Sequence, residues 1–516
     1  RGPAIGNLSD YCEYRDESNR TIGGCIWDWV DQAIYHPDEI KNGNIKGFYT
    51  GYDFSGPHQG NFCSNGIVGP LREPTAKLAE VKHVYRYIKM SDFSADTRSL
   101  SVRNTYDFID LSGFNIAWSV SRNGIDVENG IITDFNIASE TEGTLTVPYT
   151  TKPDDQAEYL LNLRFVTKEP SDWADAGHEV AAQQFAITKR PPLPEIAQGD
   201  QSLRVARTDD ATTVSGVGFS MQFDRQGYLV SMKYQGEEMI SEGRGPKFDN
   251  LRWIENDAST PPVSMSTPQF KAATPTVEFI NGSADGASTV RITCSYTASG
   301  FCSYTTAYTI HSNGIMDLQT TYSPAYGSIN RLGLGMVAMP GLENVEYFAR
   351  GPMANFADRK TGSLAAVYKT TVTDMAEHFV RPQTMGNREE LRSLRLTNND
   401  GFGMLIETEG SVSFSALHAH EQDFIKAAHD FQLETHPEVF LHLDYMQRGL
   451  GNASCGPGIL DKYKVPAYGT YTNKLRFTPL FSAGAGYTVP EGTPSDAYST
   501  AIFTEGAYTA LDNFAD

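Results

Sequence analysis

The spacing of apolar positions changes once along this chain, near residue 91. Before that point the strongest pattern runs from Thr75 to Ile88. There Leu78, Val81, Val84, Tyr85 and Ile88 fall on one helical face and Pro74 suits the N-terminal turn, which predicts an amphipathic helix. Asn7-Leu8-Ser9-Asp10 reads as another helix start. Gly23-Gly24-Cys25-Ile26-Trp27 is bounded by glycines and dense in bulky side chains, which predicts a buried strand. Helix, strand, long loop and helix together make a piece of a parallel βα architecture, whose strands are covered on both faces. Ninety residues cannot close an eight-stranded barrel of roughly 250. The expectation is therefore that residues 1–90 are the end of a barrel whose larger part lies elsewhere.

From residue 91 the period is two. Leu100–Tyr106, Asn115–Val120, Gly143–Val147 and Tyr159–Val166 alternate apolar and polar with turn signals between them, so 91–188 predicts a β-sandwich. The proline-dense 189–199 reads as a linker. Alternation resumes at Val214–Phe223, Thr289–Cys294 and Leu441–Tyr445, and 200–482 predicts one large two-sheet domain. Residues 483–516, rich in small and polar types, carry no strong period and read as a tail.

Composition narrows the function classes. Lys and Arg number 42 against 63 Asp and Glu, a formal charge of −21, and no basic run exists, which disfavours a nucleic-acid partner. No window of eighteen apolar residues is present to span a membrane. The chain opens Arg1-Gly2-Pro3 without an initiator Met, which suggests a processed or excised piece and leaves its compartment unread. Six scattered cysteines without a C-x-x-C pair disfavour a disulfide scaffold or a zinc ribbon. Cys294 and Cys302 flank a short turn-like run and either bridge a hairpin or stand as two buried thiols.

The densest candidate chemistry is Trp27-Asp28-Trp29-Val30-Asp31-Gln32. At the rim of a barrel, Trp offers a flat apolar face to sugar C–H groups and Asp accepts from hydroxyls; alternatively both tryptophans fill core. The loop Gly51–Val68, with its glycines and polar groups, is of the kind that carries specificity. Within it, Asn65 before Gly66 is either a site residue or a turn residue in left-handed conformation.

Taken in order, Gly23–Gln32, Asn61–Val68 and Glu80-Val81-Lys82-His83 resemble the end of the catalytic barrel of long bacterial β-galactosidases of glycoside hydrolase family 2. Trp173–Ala181 resembles the immunoglobulin-like domain that follows in that family. Gly351–Arg359, Arg381–Arg388 and Gly449–Pro457 resemble signatures of its large, galactose-mutarotase-like β-supersandwich, the β-galactosidase small-chain domain. The resemblance implies a mainly β chain, a truncated (β/α)8 barrel followed by two sandwiches. It implies a parent enzyme that hydrolyses terminal non-reducing β-D-galactose with retention, using two glutamates about 5–5.5 Å apart. By the same resemblance both glutamates precede residue 1, since Glu13, Glu17, Glu39, Glu73 and Glu80 occupy no catalytic motif position, and the piece alone is expected to be inactive.

Carried over residue by residue, Trp27 matches the tryptophan against which galactose packs. Asn65 matches a residue near the sugar and a sodium ion, and Phe62 matches the position whose carbonyl ligates that sodium. Cys455 stands where the family usually has an aglycone-side tryptophan. Magnesium is implied for the intact enzyme, with its ligands and a substrate-binding His upstream. Implied partners are the galactoside, the missing N-terminal barrel and sandwich domains, and further copies in a homo-oligomer; a bacterial cytoplasmic or periplasmic setting is equally consistent.

Two other readings compete. A mutarotase-like epimerase or a metal site would draw on His418, His420, His429, His436 and His442, and His418-x-His420 could share one strand face. No third ligand at typical spacing accompanies that pair. A non-catalytic carbohydrate-binding or structural sandwich would use the chain's Tyr and Phe residues, which a β core equally requires.

Overall fold

The computed structural model describes residues 2–18, 20–255, 266–453 and 456–481. Residues 88–186 form two antiparallel sheets face to face. Three strands (Ile88–Ser94, Ser99–Asn104 and Glu142–Thr146) make one, and four (Phe114–Arg122, Ile125–Ile132, Tyr159–Thr167 and Glu179–Ala186) make the other. The alternating residues Leu100, Val102, Ile116, Trp118, Leu161 and Leu163 point inward into a single core, as the period of two requires.

Residues 204–480 fold as a five-stranded, a four-stranded and a ten-stranded sheet around one continuous core. The run Val214–Phe223 is not one strand. It breaks into Ala211–Gly216 and Phe219–Asp224, because Gly218 takes φ 77° and turns the chain into a hairpin. Cys294 and Cys302 are both buried free thiols. The register pairs Cys302 with Ala298 and Cys294 with Thr306, so the two are not opposite one another on the hairpin. The segment expected to be a linker lies against the large sheets: Arg190 reaches Thr408, Leu193 N–H donates to Glu409 at 2.8 Å, and Pro194 accepts from Arg476 at 2.6 Å. Residues 483–516 lie outside the described residues.

Residues 2–86 are less regular. Helix α1 (Leu8–Glu17) starts at Asn7, α2 (Pro37–Asn42) is a single short turn, and α3 (Ala76–Val84) is capped by Thr75. Leu78, Val81 and Val84 of α3 pack on Leu8 and Cys12 of α1, while Tyr85 ends the helix and is exposed, and Ile88 already belongs to the next strand. The strand expected at Gly23–Trp27 does not form. A parallel strand needs a neighbour for its ladder, and the nearest such contact here is one isolated parallel bridge, Val30 to Val68. Among the described residues no helix is long and apolar enough to cross a membrane.

Candidate functional site

The segment carrying Trp27 is held by a backbone zipper to the segment carrying Asn65. Asp28 N–H donates to Asn65 O at 3.2 Å, Ile67 N–H to Asp28 O at 3.0 Å, Val68 N–H to Trp29 O at 2.9 Å, and Asp31 N–H to Val68 O at 3.0 Å. Asp31 Oδ1 accepts from Gly66 N–H at 2.7 Å, and a Cβ at Gly66 would lie 2.1 Å from Asp31 N, so only glycine permits this approach. Asp28 is engaged locally, accepting from Trp29 N–H at 2.6 Å and from the Gln32 amide. Trp27 and Asn65 are thus brought together, with Trp27 76% exposed and Trp29 45% exposed. Neither tryptophan fills core.

Asn65 Oδ1 is buried without a hydrogen-bond partner, as is Ser64 Oγ beside it. An orphaned buried acceptor costs about 1–3 kcal/mol. Phe62, half-buried, sits on the same turn, its N–H bonded to Gln59 O at 3.1 Å. A side-chain oxygen lacking a donor, three residues from a turn carbonyl, is a donor set that suits a hard cation such as sodium.

Asn61 carries this loop to the large sandwich: its amide donates to Glu255 at 2.5 Å, and Glu255 pairs with Arg381 at 3.1 Å. Asn61, Arg381, Tyr52, Asp53 and His429 line a cleft of about 300 Å³ between the two regions. His429 Nε2 lies 2.8 Å from Asp53 and closes one side.

The remaining sequence signatures are fasteners. Asn355 and Asn387 exchange bonds at 2.8 Å, joining the 351–359 and 381–388 segments, and Arg388 donates to Pro352 O at 2.9 Å. Arg359 reaches Pro3 O. Asp358 accepts from Leu450 and Gly451 N–H at 2.8 Å, and Asn7 N–H donates to Asp358 O at 2.9 Å, which seats the glycine-rich loop on the start of α1. Cys455, on that loop, lies outside the described residues. Glu80 of α3 accepts from Thr361 Oγ and Gly362 N–H, each at 2.8 Å; burial nevertheless pushes its pKa up.

The histidine pair diverges. His418 binds Glu343 at 2.6 Å, whereas His420 turns to Asp249 at 2.9 Å, where His442 also arrives at 3.0 Å. Sequence spacing could not reveal that grouping, because Asp249 lies 171 residues before His420. Burial and the Arg331 guanidinium oppose a charge on His442, but Asp444 and Asp249 outweigh them and carry its pKa up to about 9.

Three family descriptions match the chain. "Beta galactosidase small chain" matches residues 215–477, "Beta-galactosidase, domain 4" residues 100–188, and "Glycosyl hydrolases family 2, TIM barrel domain" residues 1–90. A β-galactosidase of Priestia megaterium is 28% identical over 494 residues, which are 93% of this chain and 47% of that protein. One of Streptococcus thermophilus is 26% identical over 487 residues, 92% of this chain and 45% of that protein. The chain therefore spans about half the length of the curated relatives it matches. A solved galactose 1-epimerase from Lactobacillus acidophilus aligns at 10% identity with a TM-score of 0.26, over 55% of this chain and 99% of that one, too loose to bear on chemistry.

Proposed function

Because this chain belongs to the β-galactosidase small chain family, we propose that it forms the C-terminal part of a retaining β-galactosidase acting on terminal non-reducing β-D-galactose. Both catalytic carboxylates come from the part of the enzyme outside these 516 residues, and the chain alone does not turn over a galactoside. The observation that carries this reading is the pairing of an exposed Trp27 with Asn65, whose side-chain oxygen is buried and unpartnered, on a loop whose Asn61 lines a cleft made by two regions. A tryptophan face suits the apolar face of galactose, and the orphaned oxygen suits a hydroxyl or a sodium ion. Phe62 O and Asn65 Oδ1 hold that sodium; magnesium belongs with the completing domains.

Three of the five local glutamates serve their own surroundings. Glu39, Glu73 and Glu80 are each engaged by neighbouring N–H or O–H groups of their own surroundings. The exposed apolar side chains Ile22, Trp29, Ile34 and Leu71 suit burial against the completing domains or a second copy. The test is a chromogenic β-galactoside. The chain alone should give no turnover, and adding the N-terminal barrel and sandwich portion should give it. Turnover by the chain alone would sink the proposal. Galactoside binding by the isolated chain that survives Trp27→Ala would instead favour an independent carbohydrate-binding module.

A further inference from the structure

Away from the Trp27 region, the four-stranded sheet of the large sandwich floors a cleft of about 790 Å³. Its strands, in order, are Lys247–Phe248, Arg331–Ala338, Val439–Gln447 and Ser413–Leu417. Asp249 follows the first of these, His442 lies on the third, and His420 follows the fourth as the N-cap of helix α4 (Glu421–Lys426). The three side chains converge, with one ligating atom of each within 4.8 Å of the others.

Each group is held with its binding atom toward the cluster. Asp249 Oδ1 accepts from Leu251 N–H and Thr267 Oγ, both at 3.1 Å, which aims Oδ2 at the two rings. His442 Nδ1 lies 2.9 Å from Asp444 Oδ1, an oxygen that can only accept, so Nδ1 donates there; Nε2 donates to Asp249 Oδ2 at 3.0 Å and binds a cation by giving up that proton. Asp444 is fully buried and fixes that ring as outer carboxylates fix metal-binding histidines. His420 Nδ1 accepts from Gln422 N–H at 3.4 Å, a long contact that is given up when His420 Nε2 binds a cation and its proton moves to Nδ1.

Space for an ion is kept by a glycine. A Cβ at Gly335 would stand 3.3 Å from Asp249 Oδ2 and 3.5 Å from His442 Nε2, on the cleft side of both. A side chain there would crowd Asp249 Oδ2 and His442 Nε2, two of the three groups. Two imidazoles and one carboxylate form the donor set of an open zinc site, with a fourth position left for water or a ligand oxygen. Tetrahedral zinc at about 2.1 Å from its ligands sets them roughly 3.4 Å apart, so the two Nε2–Oδ2 contacts at 2.9 and 3.0 Å open by about 0.4–0.5 Å.

We propose that Asp249, His420 and His442 form a three-ligand site for a zinc-type divalent cation, its fourth position open to this cleft. The site is separate from the galactoside reading and stands or falls without it.

The test uses the 516-residue chain, dialysed against a chelator and titrated calorimetrically with Zn²⁺, with Co²⁺ absorption as a second readout. The expected result is one saturable Zn²⁺ per chain and an intense tetrahedral Co²⁺ band. His420→Ala and Asp249→Asn should weaken binding by at least about 10–100-fold, the loss typical of removing even an outer partner. Gly335→Ala should weaken it too, with every ligand still present. His436→Ala, in the same cleft but paired with Asp423 at 3.1 Å, should bind as the parent does. No saturable site in the parent chain, affinity unchanged in His420→Ala and Asp249→Asn, or loss only in His436→Ala would each overturn the proposal.

Discussion

The first ninety residues and the large sandwich are built from similar amounts of bulky apolar side chain but use it differently. In the sandwich, Tyr308, Tyr322, Tyr347 and Phe414 are fully buried, and long antiparallel ladders pair the strands around them. In the first region, Trp27, Trp29, Ile34 and Leu71 are exposed, and no ladder longer than two residues pairs its described strands. An antiparallel sandwich satisfies its own backbone within one stretch of chain. A parallel barrel segment cannot, because the neighbours of its strands come from elsewhere in the sequence. The contrast separates a region whose energetics are internal from one whose residues are arranged for something outside it.

The sharpest way to break that comparison is to attack the sandwich where it is most internal. Arg331 is almost fully buried, bonding Glu421 at 2.9 Å and lying 3.4 Å from Asp444. Arg331→Leu leaves the buried Glu421 without its cation and Asp444 with His442 alone, and should cost about 3–5 kcal/mol in urea unfolding. A loss under about 1 kcal/mol would mean that the network is not internal to the fold.

Next in size is a pH effect. Asp317 is bonded to Arg476 at 2.7 and 3.0 Å across paired strands. Burial alone would raise its pKa, but the His311 ring 3.8 Å away and the hydrogen bonds and charge of Arg476 lower it from 3.8 to about 2. A folded pKa below the unfolded one gives stability that is complete above the unfolded value and lost as pH falls toward 2. The contribution is about 2 kcal/mol at neutral pH and roughly half of that at pH 3. Unfolding free energies of the parent chain and Asp317→Asn should therefore differ at pH 6 and converge below pH 3. A constant gap would refute the assignment.

What could be read from sequence follows the same division. Leu100–Tyr106 and Tyr159–Val166 were legible because a half-buried antiparallel strand writes its burial as strict alternation. Helix α3 was legible through Leu78, Val81 and Val84. Gly23–Trp27 was not, because its apolar content describes a strand whose ladder partners are absent from this stretch. Trp27 and Asn65 stood out through local composition, two Trp and two Asp within six residues and an Asn-Gly step in a polar loop, and only the family resemblance attached roles to them. The cluster of Asp249, His420 and His442 escaped because strand order in a sheet, not spacing in sequence, brings it together.

A smaller effect probes the one well-formed element of the first region. Thr75 Oγ accepts from Lys77 N–H at 3.3 Å and donates to Ile67 O, tying the start of α3 to the loop that carries Asn65. Thr75→Ala should cost about 1 kcal/mol. Hydrogen exchange should show the loss concentrated in α3 and residues 65–68, with the large sandwich unchanged. Uniform loss across both regions would mean that they unfold as one unit.

The smallest effect on stability should come from Trp27, the residue proposed to face the sugar. Trp27 is mostly exposed, and its removal leaves no buried cavity, so Trp27→Ala should change the unfolding free energy by less than about 0.5 kcal/mol. Packed on galactose in the completed enzyme, the same ring would lose far more. A sugar–aromatic contact removed from both ground and transition states raises KM, and one formed fully only in the transition state lowers kcat. Either outcome, measured after complementation with the N-terminal portion, separates Trp27 from a surface aromatic. A destabilisation of several kcal/mol would instead make Trp27 a core residue of the first region, and the contrast between the two regions would fail at its most exposed point.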